Sequence, residues 1–528
     1  MKIKDWMLAV AAGLLMFAAW PPAGFPFLII GAWWFLFRLS DKFLHTRKQG
    51  RFWAYVYIAF LLFNLLTTYW IWFATPAGAV LAITVNALLM TLTFGVWHAA
   101  RRRLPVSMAT VLFPVLWISF EKLHYEWDLE WPWLTMGNVF AAHPAWVQWY
   151  EWTGVMGGSL WILIGAMWFY FLSRKKFRPV RQVVYWSLFL LIPLLWSVYR
   201  YYTYKPRGPR ATVVILQPNI DPWTEKFDRP NGTMLDDLLA FLPPDTMRVD
   251  LILAPETALP QGMEIRRLED YPEIRRLKEV ARRYQAPVLT GVSLYHIIDT
   301  AAEGIPPTAN YSRRSRLWYQ LYNSALWIDS EGRLSLYHKA ILVPGAEKMP
   351  YRKIFKPLIG DIVLDLGGMA GTHTPSPQPV VFGSPGSQLH VAPIICYESI
   401  FGDYVRQYVL KGANLLAVIS NDGWWKKTSG YRQHYDYARL RAIEDRRAVV
   451  RAANTGRSGY IDQKGRSVQS LGYGRRGTLV VHPALNDRLT FYALHGDYIA
   501  RLSIFLAILL LLYALLGRKK GGDPLKKP

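Results

Sequence analysis

A chain of 528 residues has room for two or three domains, and at 52% hydrophobic with 24 Trp it is richer in apolar residues than an ordinary soluble protein. Its formal charge of +24 invites a nucleic-acid partner, but most of that charge lies in short segments between long apolar runs, which argues for membrane topology instead. A single cysteine, Cys396, excludes an intrachain disulfide framework.

Residues 1–205 are dominated by apolar runs. Candidate membrane spans lie at about 6–21, 25–38, 53–73, 77–99, 105–121, 156–173 and 182–200, with an eighth at 498–517. The first two are short and interrupted by proline (Trp20-Pro21-Pro22 and Phe25-Pro26), so a re-entrant hairpin is an alternative there to two full spans. A cleavable signal peptide is disfavoured, because the first run leads into the second without a clear small-residue cleavage site.

With the N-terminus in the cytoplasm, the inside segments 1–5, 38–51, 101–103, 174–181 and 518–528 carry +17 of the +24. The opposite loops are nearly free of Lys and Arg; loop 122–151 carries Glu126, Asp128, Glu130 and Glu151 against Lys122 alone. This positive-inside pattern predicts a bundle of about eight transmembrane helices, with both termini cytoplasmic and residues 206–497 outside the membrane. The organisation expected is a seven-span bundle over 1–205, an extracytoplasmic domain over 206–497, a last span at 498–517 and a basic tail at 518–528. Arg200, Lys205, Arg207 and Arg210 run against the rule; large domains cross regardless of such charge, and the four also suit anionic headgroups.

The outer segment opens on a strand at 211–216. Further strands are predicted at 250–254, 287–292, 324–328, 334–337, 390–395, 415–419, 448–452, 459–461 and 478–481, and helices at 264–284 and 431–447. Strands alternating with helices, then more closely spaced strands, indicate a layered α/β domain. Segments 301–316 and 361–388, rich in Gly, Pro and Ser, read as loops, the second long enough for a lid. Without disulfides, this domain relies on its core, which its size permits.

Three residues at strand ends carry the chemistry. Cys396 follows a buried-type strand in Val-Ala-Pro-Ile-Ile-Cys-Tyr-Glu-Ser, Glu256 ends Leu-Ile-Leu-Ala-Pro-Glu-Thr, and Lys339 lies in Leu-Tyr-His-Lys-Ala. Taken singly, each has a plain reading: a buried inert cysteine, an acid at a helix N-terminus, a solvated surface lysine. Together they are a nucleophile, a general base for its proton, and a cation that lowers the thiol pKa and, with the Tyr397 N–H, stabilises an oxyanion.

At these residues the sequence resembles the nitrilase superfamily over about 211–484. The likeness rests on Ala-Pro-Glu256-Thr, Tyr-His-Lys339, Ile-Cys396-Tyr-Glu, Asn421-Asp422-Gly423-Trp424 and Arg451-Ala-Ala-Asn454-Thr-Gly456. Within that superfamily it resembles the branch fused to a membrane bundle, the apolipoprotein N-acyltransferases. This likeness adds the order of spans, domain and terminal span, and the motifs around Glu121, Trp131-Pro-Trp-Leu-Thr-Met-Gly137, Gly154-Val-Met-Gly157-Gly158 and Leu321-Tyr-Asn323-Ser-Ala.

The resemblance implies an αββα sandwich with a Glu256–Lys339–Cys396 triad. It implies a bacterial inner-membrane enzyme that takes an acyl chain from a phospholipid onto Cys396 as a thioester. The chain then passes to the α-amine of a lipoprotein's diacylglyceryl-cysteine. By the same match Glu347, Tyr397 and Glu398 line and order the site, with Asn323 and Trp424 at the pocket. No metal or organic cofactor is implied, nor a nucleic-acid partner, and one subunit suffices. The chain departs from the family's pattern at Pro344-Gly345-Ala346-Glu347, usually Pro-Phe-Gly-Glu, and at Phe227, where a tryptophan is expected although Trp223 is close by. It is also more basic than the norm after Trp424. The alternatives are a membrane-tethered amidase or nitrile hydrolase using water as acceptor, and a non-catalytic lipoprotein-binding protein on the same fold. An intact triad disfavours the second.

Overall fold

A computed structural model describes residues 4–174, 180–351, 371–384 and 386–516. Six of its helices are long and apolar enough to cross a membrane: Gln49–Thr68, Pro76–Ala100, Val106–Leu123, Tyr150–Arg174, Val180–Thr203 and Tyr498–Leu516. Two more, Asp5–Ala19 and Leu28–Phe43, have only 15 and 16 residues, or roughly 23 Å at the helical rise against a hydrocarbon core of about 30 Å. They form an antiparallel hairpin, since Asp5 at the start of one pairs with Lys42 at the end of the other at 2.8 Å.

The open end of that hairpin lies beside the C-terminal ends of two long helices: Asp41 accepts from Arg101 at 2.8 Å and from Tyr170 at 2.6 Å. Its closed end reaches the α/β domain, where Trp20 Nε1 donates to Tyr437 at 3.1 Å and Gln433 donates to the Pro21 carbonyl at 3.0 Å. The short pair therefore runs from one end of the bundle to the other.

Two boundaries differ from expectation. The span placed at 53–73 stops at Thr68 and is followed by a separate turn of helix, Ile71–Ala74; Thr75 then caps Pro76–Ala100 by accepting from the Gly78 N–H at 3.1 Å. The span placed at 156–173 begins earlier, at Tyr150, with a kink at Gly154 (φ 60°) where the Tyr492 ring leaves no room for a Cβ.

Among the described residues the α/β domain has two sheets. The strands of the first are β1 (Val213–Gln217), β2 (Leu251–Leu253), β3 (Leu259–Glu264), β4 (Val288–Ile297), β5 (Asn310–Ser312), β6 (Leu317–Ile328), β7 (Leu334–His338) and β13 (Gly477–Val481). They run in the order β13-β1-β2-β4-β6-β5, with β3 on β4 and β7 on β6. The second contains β8 (Val391–Ile395), β9 (Leu415–Ser420), β10 (Ala448–Ala453), β11 (Ser458–Ile461) and β12 (Ser467–Leu471), ordered β12-β11-β10-β9-β8.

Alternation along β1 shows the layering. Val213 and Ile215 join the core shared with Val391, Ile394, Leu415 and Val450 of the second sheet. Val214 and Leu216 point the other way, into a core with Leu235, Leu238, Ile274 and Leu277 of two covering helices, Asn231–Leu239 and Pro272–Tyr284. Helices Gly402–Leu410 and Ser429–Asp445 cover the second sheet through Val405, Tyr408, Tyr435 and Ala438. The result is the expected αββα sandwich.

Strands β1, β2 and β4 are parallel, as are β8, β9 and β10, so several chain segments emerge at the same kind of edge, where α/β sheets place their ligands. Three strands were not expected: β3, β12 and β5, the last within 301–316, which reads as loop. The helix expected over 264–284 is broken at Pro272, which opens Pro272–Tyr284. That expected over 431–447 ends at Asp445, with Arg446 in a left-handed cap. Of the long loop expected over 361–388, residues 361–370 and 385 lie outside the described residues, as does the tail 518–528.

Candidate active site

Cys396 stands where the buried strand β8 turns into a single 3-10 turn, Cys396–Ile400, with φ at 48°. A non-glycine residue in this region is strained and must be held. Its own carbonyl accepts from Ser399 Oγ at 2.7 Å and lies 3.0 Å from His434 Nε2. Glu398 is the main clamp. It accepts from the Ile395 N–H at 2.8 Å, the Ala340 N–H at 2.7 Å and the Tyr337 hydroxyl at 2.5 Å, so one carboxylate joins the cysteine turn to the segment carrying Lys339. Burial pushes its carboxyl up to about 7, against those hydrogen bonds.

Lys339 leaves β7 with its N–H donating to the Asn323 carbonyl on β6 at 2.8 Å. Its Nζ donates to Glu347 at 2.8 Å and lies 3.4 Å from Glu256 Oε1. The Asn323 amide donates to the same two carboxylates, at 2.8 Å to Glu256 and 3.1 Å to Glu347. One ammonium and one amide thus bridge two buried carboxylates. The second Glu347 oxygen accepts from the Val343 N–H at 2.8 Å. The loop that delivers it turns at Gly345 (φ 83°), so the glycine of Pro344-Gly345-Ala346-Glu347 occupies a position that a side chain would strain.

Burial opposes a charge on Lys339, but the Glu347 and Glu256 carboxylates more than offset it and hold the ammonium above its ordinary range. Glu347, likewise pushed up by burial, is brought below the usual carboxylate range chiefly by Lys339. The thiol departs from expectation. Burial and the Glu256 carboxylate push Cys396 up to about 12, and Lys339, with a hydrogen bond to Ser420, offsets only part of that. Lys339 does lower the thiol pKa, but the net effect is a resting thiol rather than a thiolate.

Tyr397 faces the helical bundle. Its hydroxyl donates to the Glu130 carbonyl at 2.6 Å, and Glu130 pairs with Lys348 at 2.7 Å. Trp424 stands apart from the carboxylate cluster, half-buried, stacked on Phe227 at 5.8 Å and edge-on to Trp223 at 5.0 Å. Among the described residues no group of three or more His, Cys, Asp or Glu could hold a metal ion.

A sequence model of the apolipoprotein N-acyltransferase N-terminal domain matches residues 12–168, and one of the carbon-nitrogen hydrolases matches residues 220–488. The apolipoprotein N-acyltransferase of Chlorobaculum tepidum is 30% identical over 97% of this chain and 96% of its own. The chain belongs to the apolipoprotein N-acyltransferase family. That of Gloeobacter violaceus is 28% identical over 99% of this chain and 95% of its own. Among solved structures, an amidase from Nesterenkonia sp. aligns with 56% of this chain and 97% of its own at 18% identity and a TM-score of 0.37.

The chain is therefore a membrane acyltransferase of the nitrilase superfamily with the cysteine present at Cys396. In this family member, bundle and sandwich share a buried seam. Gln433 accepts from Trp70 Nε1 at 3.1 Å and Trp133 Nε1 at 2.8 Å, Lys122 pairs with Asp497 at 3.0 Å, and Arg446 with Glu151 at 2.7 Å.

Sequence reasoning missed two features near the thiol. Asp422, His434 and Arg451 form a fully buried set beneath the cysteine turn, with Arg451 2.7 Å and His434 3.1 Å from Asp422; Asp422 and Arg451 were visible as parts of motifs, His434 was not. Lys226 is the other. Its ammonium donates to the Glu256 carbonyl at 3.0 Å and to Thr257 Oγ1 at 2.6 Å, and the polar stretch Asp-Pro-Trp-Thr-Glu-Lys gives no sign of burial.

Proposed function

We propose that the chain transfers an acyl chain from a membrane phospholipid to the α-amino group of a lipoprotein's diacylglyceryl-cysteine, through a thioester on Cys396. The single observation that carries this reading is Lys339 bridging Glu256 and Glu347 beside a buried, strained cysteine, on a domain seated directly on a membrane bundle.

Because the resting group is a thiol, proton loss accompanies attack. Glu256 takes the proton as sulfur adds to the ester carbonyl, and the Lys339 ammonium with the Tyr397 N–H stabilises the oxyanion. Collapse breaks the C–O bond, Glu256 returns the proton to the leaving alkoxide, and a lysophospholipid departs. In the second half, Glu256 takes a proton as the acceptor amine adds to the thioester. The C–S bond then breaks, an amide forms, and the thiolate recovers its proton from Glu256. Asn323 and Glu347 hold Glu256 and Lys339 in register, Glu398 holds the cysteine turn, Tyr397 ties that turn to loop 124–140, and Trp424 lines the rim with Phe227.

Both substrates carry acyl chains that stay in the bilayer, which is a reason to build the site on a membrane bundle. The charge pattern favours a bacterial inner membrane with the sandwich outside and both termini cytoplasmic. One polypeptide supplies every group named, so a monomer suffices. The test is transfer of a labelled acyl chain from phospholipid to a synthetic diacylated lipopeptide by the purified full chain. The expected product is the amide, absent with Cys396→Ala; free fatty acid as the only product would instead favour an amidase-like hydrolase.

A further inference from the structure

Lys226 lies between β1 and the helix Asn231–Leu239, and its side chain is only 1% exposed. No Asp or Glu oxygen among the described residues lies within ion-pairing distance of its Nζ. The ammonium instead sits on the main chain of the Glu256 turn, bonded to the Glu256 carbonyl and to the hydroxyl of Thr257, which has φ at 46°. A buried cation with no contacting counter-ion is costly unless the wider site needs its charge.

The charges around Cys396 supply that need. Glu256 and Glu347 are two buried carboxylates, and among the described residues Lys339 is the one ammonium that touches both. With the thiol neutral, these three sum to one negative charge. We infer that Lys226 is the balancing cation of this site, a positioning residue that holds the Glu256 turn and offsets the negative charge that Lys339 alone leaves on Glu256 and Glu347.

The groups facing Lys226 fit this role. Glu256 from the turn after β2 and Cys396 from the turn after β8 are the charged or titratable groups that act on it. The surrounding small cavity is lined by Met234 and Leu238 of the covering helix, Pro255 and Ala258 of the Glu256 turn, and Asn454 after β10, none of them titratable. In these apolar surroundings the ammonium is drawn down to about 7, chiefly by burial and against the Glu256 charge, so its positive charge itself titrates near neutral pH.

The inference rests on the acyl-transfer reading, which wild-type adduct formation tests separately. The experiment is the rate of acyl-adduct formation on the full chain from phospholipid, without acceptor, as a function of pH. Lys226→Gln retains a hydrogen-bond donor but not the charge, and Lys226→Arg retains the charge; thermal unfolding checks that both fold. Losing a nearby cation raises the pKa of a carboxylate by about one unit or more, so Lys226→Gln is expected to move the acid limb up by about that much, with a rate about tenfold below wild type at pH values under both limbs and equal to it above them. Lys226→Arg should leave that limb in place.

A Gln profile of wild-type shape, whether unchanged or lower by the same factor at every pH, would overturn the inference, as would an Arg limb shifted as far as the Gln limb. If Lys226→Gln does not fold, Lys226→Arg decides alone. A guanidinium keeps its charge at every pH tested, so its acid limb must stay at the wild-type position; a limb moved up by about one unit counts against the proposal.

Discussion

Among the described residues, the buried charges at the seam between bundle and sandwich and those of the carboxylate cluster around Cys396 are built differently. At the seam, opposite charges meet in direct contact: Lys122 lies 3.0 Å from Asp497 and 3.1 Å from Glu126, and Arg446 lies 2.7 Å from Glu151 and donates to Gln148 at 2.7 Å. Around the cysteine, one ammonium is shared by two carboxylates, a second is seated on main chain, and the thiol is pushed up to about 12. Burial of charge alone therefore does not mark a site. What distinguishes the surroundings of Cys396 is a buried, strained cysteine next to two carboxylates that share one ammonium.

The sharpest way to break this contrast is to remove the base. Glu256→Gln keeps the shape and the Asn323 contact but cannot accept a proton, and should slow acyl-adduct formation by about 10²–10⁴-fold without loss of folding. A seam variant must not do this. The resting thiol gives the next effect. At pH 8 a group titrating near 12 is almost wholly protonated, so Cys396 should react with iodoacetamide roughly 10²-fold more slowly than a free cysteine, the small thiolate fraction being partly offset by the greater nucleophilicity of a more basic thiolate. Fast alkylation would mean that the site already holds a thiolate.

At the seam the expectation reverses. Lys122→Met leaves Asp497 buried without its contacting ammonium and should cost about 3 kcal/mol or more of stability. That loss would appear as a lower midpoint of thermal unfolding in detergent, with adduct formed per folded molecule unchanged. The smallest effect concerns Glu398. Its folded carboxyl, raised to about 7 from 4.5 by burial, binds its proton more tightly than the unfolded chain does. Its contribution to stability is therefore present below about pH 4.5 and lost as pH rises toward 7. Thermal unfolding across that window should shift in favour of Glu398→Gln relative to wild type as pH rises.

The groups that were legible in the sequence are those announced by their immediate neighbours. Glu256, Lys339 and Cys396 each follow an apolar strand, and the strand-end setting survives in the fold. The sandwich was legible from alternation such as that of β1, and the bundle from the length of its apolar runs. What escaped depends on residues far apart in sequence. Strand β3 contains Pro260 and Gly262 and pairs only because β4 lies beside it, while β5 is three residues long and exists as an edge partner of β6. Lys226 reads as a surface residue because its own segment is polar; its burial is created by the Glu256 turn and the covering helix. The sign of the thiol shift was also beyond the sequence, because it depends on burial outweighing one nearby cation.

The central claim is that Cys396 carries the acyl chain. Intact-protein mass measurement of the purified full chain, incubated with phospholipid and no acceptor, tests it most directly. The account predicts a gain of one acyl chain that hydroxylamine removes, that Cys396→Ala never acquires, and that a diacylated lipopeptide discharges. An unmodified mass with every phospholipid offered, or an adduct that persists in Cys396→Ala, would contradict it.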